Sequence, residues 1–513
     1  MDKDIPSPRR GEMDDDVYPV HLLDNANDYR NLFMSYLFRF KDILDSDKLA
    51  DSLTKLLEIG DWRKLGGRLR LKEDGQLEIH VSQSFTTQRP AMAFTHDTFS
   101  ESIETHPLGR GLPQVSGTNS PSVQKLSTDL RPFAGSPSAP KTIKELIDRD
   151  APILSIHVTT FTDSTVVVIS WPHVLMDAMG LQALMRNWSL VLNNKAASVS
   201  PVLGTQDDIL QEADSQIQNN DKRQELAVEK LAPGPLGMAY LVLRFLWLML
   251  WSPGFEERTI LLPQRHISQL QAQALGEIAG KDEHEQKPFV SEGDVLAAWA
   301  AQILAASQPR GPMTVANFIN VRFRLSIFQA AGGEYIQNLL QFVYAPLSLQ
   351  SLAGPLGPCA LSYRKHMAAQ STEEQVLGYL HMQREHVKAR KRLRLIFGDA
   401  GASMLTVNNL AKIDFFRIVD FAPAVVGEGE RLVKGACNGQ DASHIKDASH
   451  VKQTSRANPP GTIVYYHPLV LNKPSVLTSH FRVLGKDHAG NCWLTGTFPA
   501  RTWGGFERAL ESL

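Results

Sequence analysis

A run of β-branched residues, Thr165-Val166-Val167-Val168-Ile169, leads through Ser170-Trp171-Pro172 into His173, and an amphipathic stretch begins at Ala178. Branched side chains suit a pleated surface, so 164–171 reads as a strand. Leu181, Leu184, Met185, Trp188 and Leu192 recur at helical spacing, so 178–192 reads as a helix with one face turned inward. A buried strand that turns directly into a core-covering helix implies a layered α/β architecture. Residues 153–159 supply a second strand of the same character.

The remainder of the chain mixes the same two kinds of element. Helical spacing predicts helices over 27–41 and 46–57, and alternation on either side of Glu73-Asp74-Gly75 predicts a hairpin of 68–72 with 77–81. Residues 109–141, rich in Ser, Pro and Gly, read as a long surface loop. Further on come helices at 266–279 and 292–307, strands at 314–323, 476–483 and 491–498, and a closing helix at 503–510. The hexapeptide Asp441-Ala442-Ser443-His444-Ile445-Lys446 returns almost unchanged at 447–452, which reads as an expanded loop. A chain of 513 residues exceeds what one hydrophobic core usually supports. We therefore expect two domains, 1–203 and 263–513, joined by a crossover over 204–262.

That crossover contains the one segment at odds with an ordinary globular chain: residues 236–251 are apolar throughout apart from Arg244. They fall short of the roughly 20 residues a bilayer span requires, and a central arginine is costly there, so a buried or interfacial helix is expected rather than membrane insertion. Elsewhere the charges balance, 53 basic against 55 acidic, with one notable cluster between Lys388 and Arg394, so no nucleic-acid footprint is present. Cys359, Cys437 and Cys492 are too scattered for a disulfide framework or a thiolate metal site, and none has a nucleophile motif around it. The acidic N-terminus has neither a secretory nor a transit pattern, and the cytoplasm is the expected compartment.

His173 is followed four residues later by Asp177. An imidazole titrates near neutrality, so at the end of a buried strand it can accept a proton from an attacking hydroxyl or amine and return it to a leaving group. With 16 histidines in the chain, on the order of one His-x-x-x-Asp pair arises by chance, and a core histidine beside a helix cap explains the bare motif equally well. No second His or Cys stands at metal-ligand spacing, and a Gly-x-Ser-x-Gly elbow is absent.

Other segments resolve that ambiguity. The motif's position, about a third of the way along the chain, resembles the BAHD superfamily of CoA-dependent acyltransferases and, more distantly, the condensation domains of peptide synthetases. Condensation domains carry a second histidine where Pro172 stands here. Leu65-Gly66-Gly67-Arg68-Leu69 is similar to an early BAHD segment, and 291–299 to the helix that opens the second half. Asn320-Val321-Arg322-Phe323-Arg324 resembles the family's Asp-x-Arg-x-Arg strand with Asn320 for the aspartate, and Gln337-Asn338 stands at its Gly-Asn. Thr406-Val407-Asn408-Asn409-Leu410 and then Asp420-Phe421 keep the spacing of the last two motifs, although only Asp420 and Phe421 survive of Asp-Phe-Gly-Trp-Gly. The degradation matches divergent fungal members of secondary metabolism.

The resemblance implies two similar chloramphenicol-acetyltransferase-like domains, each a mixed sheet flanked by helices, with a channel between them. It implies acyl transfer, with acetyl expected, from acyl-CoA as co-substrate to a hydroxyl, less readily an amine, of a small apolar metabolite. His173 would be the general base and Asp177 its companion, held by Arg322. Thr406, Asn408 or Asn409 would face the oxyanion, while Asp420 and Phe421 would shape the fold near the CoA channel. No resident cofactor or metal is expected, nor any nucleic-acid partner, and the family implies a monomer. Trp171, Met176, Met179 and the 241–251 helix would line the acceptor pocket. Two alternatives stay open: a non-catalytic metabolite-binding protein of the same fold, and a membrane-associated acyltransferase acting on lipid.

Overall fold

The computed structural model describes residues 15–114, 120–126, 129–218, 225–251, 254–279, 288–329, 332–429, 457–472 and 478–513. Cys437 and the 441–452 duplication lie outside them, as does most of the acidic N-terminus.

Two mixed sheets organise the molecule. The first has five strands in the spatial order Ile463–Val470, Phe33–Phe40, Thr165–Pro172, Ser155–Thr160 and Ala93–Thr98. All neighbours are antiparallel except the last pair. The strand that leads to His173 is therefore central, and every one of its eight residues is buried. The second sheet has seven strands, ordered Leu340–Leu347, Met313–Asn320, Ser403–Asn409, Ser479–Lys486, Cys492–Pro499, Phe255–Leu262 and Ser122–Lys125. Helices Ala178–Leu192 and Ser46–Leu56 pack on the first sheet, and Gln264–Ile278, Glu292–Ala306, Leu356–Ala369 and Ala500–Glu511 on the second. This is the α/β architecture expected.

The helix expected over 27–41 stops at Arg30, and Phe33–Phe40 is a strand. Its sequence, Phe-Met-Ser-Tyr-Leu-Phe-Arg-Phe, is nearly continuous in apolar side chains because both faces of the strand are covered, and such a run carries no period of two. The loop over 109–141 contains a strand, Ser122–Lys125, at the edge of the second sheet. The chain also crosses between sheets at its other end, for Ile463–Val470 pairs with Phe33–Phe40. A division of the sequence at 203 and 263 thus separates strands that share a sheet.

The apolar segment forms a helix, Pro235–Trp251, whose described side chains are mostly exposed. Leu236 and Leu243 are 88% and 66% exposed, and Tyr240, Val242 and Leu246 are about half exposed or more. Arg244 holds the helix down by donating to the carbonyls of Ala402 at 2.6 Å and Ala400 at 3.3 Å. Those carbonyls precede Ser403–Asn409, so the anchor lies at the opposite end of that strand from Asn408 and Asn409, roughly 20 Å away at strand rise.

Candidate active site

The central strand ends at Pro172, and the backbone N–H of His173 donates to the Leu32 carbonyl at 2.8 Å, just ahead of the neighbouring strand. The half-buried His173 ring stacks on Tyr29, centroids 5.0 Å apart. Nδ1 is buried and has no hydrogen-bond partner among the described residues. Burial lowers the pKa of the ring, while its own carbonyl, Asp177 and Asn338 pull the other way. The ring is consequently held neutral at physiological pH.

Asp177 caps the helix Ala178–Leu192, its Oδ1 accepting from the N–H groups of Met179 and Gly180, each at 3.0 Å. Arg322 meets the same carboxylate with both terminal nitrogens, at 2.8 and 3.0 Å, and Leu339 N–H donates to Oδ2 at 3.0 Å. These five donors surround a side chain with no solvent exposure, and none of them is His173. Arg322 is fixed in turn by the carbonyls of Tyr335 at 2.8 Å and Gln337 at 2.5 Å. A bidentate guanidinium pair of this kind is geometrically specific. Gly180 lets the helix start close against that segment, since a Cβ there would sit 2.3 Å from the Ile336 carbonyl. Asn320, in the place of the family's aspartate, accepts from the Arg322 backbone N–H at 2.9 Å, and its own buried amide nitrogen has no partner among the described residues.

Asn338 completes the setting of the histidine. Its amide donates to the His173 carbonyl at 2.8 Å and to Asp24 Oδ1 at 2.7 Å, and its backbone N–H donates to the same oxygen at 2.9 Å. Burial pushes the Asp24 carboxyl up to about 6, against the lowering effect of Asn338. Nothing in the sequence around Asp24 announced this role: it stands between Leu23 and Asn25, 149 positions from His173, and only tertiary folding brings them into one chain of contacts.

The parallel strands Met313–Asn320 and Ser403–Asn409 end together, Phe318 opposite Asn408. Their ends line a cavity of about 270 Å³ that also touches Ala178 and Met179 beside the histidine loop, and Arg324 and Lys412. Asn408 and Asn409 face this cavity, whereas Thr406 lies two residues deeper and is not in its wall. Asn409 Oδ1 accepts from Ala411 N–H at 3.0 Å, leaving Asn408 as the strand-end amide without a side-chain partner among the described residues. A second cavity, about 480 Å³, lies over the first sheet and reaches Phe33, Ser170 and Leu471, with a wall of Pro132, Ala134, Pro140 and Leu146.

Two expectations about side chains need correction. Trp171 and Met176 are core residues, the indole N–H of Trp171 donating to the Met176 carbonyl at 2.9 Å, and of the expected pocket residues only Met179 reaches a cavity. No described side chain of the apolar helix lines either cavity. Phe421 lines neither cavity: it is fully buried, stacked on Phe40 at 5.4 Å and edge-on to Trp188 at 4.6 Å. Asp420 is exposed and caps a turn through Ala422 N–H.

Comparison with known proteins identifies the family. Residues 138–421 match a family described as the Transferase family, a span that contains His173, Asp177, Arg322, Asn338 and Asn408. The chain is 33% identical to the acetyltransferase pyiB of Pyricularia grisea, over 97% of this chain and 94% of that one. It is 31% identical to the O-acetyltransferase PaAT-2 of Phomopsis amygdali, over 97% and 98%. Among solved structures, TRI101 of F. sporotrichioides, crystallised with coenzyme A and T-2, superposes with a TM-score of 0.60 at 12% identity, covering 95% of this chain and 96% of that one. At that identity the likeness is one of fold.

Proposed function

The chain belongs to the BAHD family of acyltransferases, and from its site we propose that it moves an acetyl group from acetyl-CoA to a hydroxyl of a small apolar metabolite, with His173 as general base. One observation carries the reading. His173 is the half-buried neutral ring of the site, with backbone pinned by Leu32 and Asn338 and Nδ1 shut away from solvent, which leaves Nε2 as the nitrogen free to meet a ligand.

The acceptor oxygen attacks the thioester carbon as its proton passes to Nε2. The C–O bond forms and a tetrahedral oxyanion results. Asn408, at the end of its strand with an amide to spare, donates to that oxyanion, an interaction of about 3 to 4 kcal/mol in comparable sites. Collapse breaks the C–S bond, and the imidazolium returns its proton to the leaving thiolate, giving an ester and free CoA. Asp177 takes no proton: all its lone pairs are engaged by the helix start, Leu339 and Arg322, so it holds the loop that aims the base.

The donor occupies the cavity beside Asn320 and Asn408, where Arg324 and Lys412 supply positive charge for its phosphates. The acceptor occupies the larger cavity over the first sheet, where prolines and alanines offer apolar wall and Asp97, Asp129, Arg131 and Lys141 stand at its polar side. The relatives named acetyltransferase and O-acetyltransferase favour acetyl as the group moved, and the degraded motifs, which resemble those of divergent fungal members, favour a place in secondary metabolism. The same reading has a single chain working in the cytoplasm without a resident cofactor.

The test is release of free CoA from acetyl-CoA and longer acyl-CoAs against a panel of apolar alcohols and amines, for wild type and His173→Ala. Release that requires an alcohol and vanishes in the variant is expected. Undiminished release by the variant would move the base elsewhere, and turnover confined to sugars would overturn the apolar acceptor.

A further inference from the structure

The exposed apolar helix is not explained by catalysis. Along Pro235–Trp251, Leu236, Tyr240, Leu243 and Leu246 follow one another at helical spacing and are all at least half exposed, with Val242 beside them. Arg244, the charged residue of the helix, is turned to the protein, where it is spent on the carbonyls of Ala400 and Ala402. A single exposed leucine needs no explanation, but a strip of five on one helix marks a surface that something covers.

What covers it is indicated by the charge next to it. Just before the helix, the Leu231 carbonyl accepts from Gly398 N–H at 2.7 Å. The segment docked there, 395–402, follows directly on Lys388-Ala389-Arg390-Lys391-Arg392-Leu393-Arg394. Arg390, Lys391 and Arg392 are exposed and have no ion-pair partner among the described residues. Arg394 lies over the Phe397 ring at 5.0 Å, and the neighbouring Ile396 is exposed, so apolar surface continues from the helix toward the basic cluster. The acid in the segment, Asp399, caps Gly401 N–H at 2.8 Å.

We infer that the Pro235–Trp251 helix and the Lys388–Arg394 cluster together form a docking face for an anionic lipid bilayer. The leucines enter the boundary between headgroups and acyl chains, and the cations meet lipid phosphate and carboxylate. No helix among the described residues is long and apolar enough to cross a membrane, so the helix lies in the surface plane. The inference does not depend on the catalytic reading.

Cosedimentation of the full chain with vesicles of phosphatidylcholine alone, and of phosphatidylcholine with about a third phosphatidylserine, tests it. Binding to the anionic vesicles is expected, at least tenfold tighter than to the neutral ones and weakened by salt. Leu243→Glu/Leu246→Glu should abolish binding and Arg390→Glu/Arg392→Glu reduce it about tenfold or more, with thermal unfolding like wild type in both. Equal binding by either variant, or wild type left in the supernatant with both vesicles, overturns the inference. So does a wild-type dimer that Leu243→Glu/Leu246→Glu dissociates without any vesicle binding, since a second copy then covers the face.

Discussion

His173 and Arg322 act on the same loop in different ways, and substitution separates them. His173→Ala removes a ring stacked on Tyr29 but no side-chain hydrogen bond, so the variant should fold. Its kcat/KM should fall by about 10²- to 10⁴-fold, the usual share of a general base, as measured by CoA release. The ring's pKa is lowered by burial, so the base is neutral from its lowered value upward. Wild-type kcat/KM should be flat above about pH 6.5, the ordinary histidine value, and decline only below it. The linkage has the same sign, since the unfolded chain takes up this proton first and stability is lost as pH falls below about 6.5 toward the folded value. A limb rising through pH 7 to 8 would show that another group is the base. Arg322→Ala instead strands the fully buried Asp177 carboxylate, at a cost of about 3 to 5 kcal/mol, and should lower both the unfolding midpoint in urea and activity. Arg322→Lys restores charge but not the two-pronged geometry, so it should recover only part of both. His173, Asp177 and Arg322 could be picked out as candidates because each lies in a short segment that resembles a family motif. Asp24 could not, because a contact chain through Asn338 leaves no local spacing to read.

The elements most readily read were those with one dry face. Ala178–Leu192 and Ser46–Leu56 show helical periodicity because their other faces meet solvent or polar neighbours, and the hairpin Arg68–Leu71 with Leu77–Val81 was marked by its turn. Phe33–Phe40 was misread because a central strand has no wet face. The two helices Leu356–Ala369 and Glu373–Arg390 gave no sequence signal we used, since their apolar positions are spread around the axis. Phe421 sits in the core of the first sheet. Its ring joins Phe40 of the first sheet to Trp188 of the helix that Asp177 caps, and Asp420 N–H donates to Ser189 at 3.0 Å on that helix. Gly461, at φ 71°, approaches so closely that a Cβ would lie 2.1 Å from Ala422 N, and its carbonyl accepts from Phe421 N–H. Phe421→Ala should therefore cost about 3 to 5 kcal/mol of stability by leaving a cavity, while the KM for acetyl-CoA changes little in the protein that remains folded. A large rise in that KM with unaltered stability would instead give the residue a direct role in donor binding.

The two halves of the sequence exchange strands. The edge strand of the first sheet, Ile463–Val470, comes from the second half of the chain, and that of the second sheet, Ser122–Lys125, from the first. The exchange is substantial: Ile463–Val470 is in register with Phe40 through Met34, and Tyr466 packs against Tyr36, Phe38, Phe415 and Phe416. A fragment 1–203 would leave Phe33–Phe40 with an unpaired backbone edge and an uncovered aromatic cluster. A fragment 263–513 would carry an apolar strand with no sheet to join and would lack Phe255–Leu262 as well. Unpaired edges of that composition aggregate. Expressed separately, the two fragments should be insoluble or unfolded, and the intact chain should unfold in one calorimetric transition whose van't Hoff and calorimetric enthalpies agree, unusual at this length. Trp188→Ala in the first core and Phe481→Ala in the second should each shift that one transition rather than split it. Two resolved transitions, each moved by only one of the variants, would mean that the exchanged strands add little to the coupling. The halves would then be joined chiefly by the Asp177–Arg322 pair and its neighbours, where the proposed chemistry takes place.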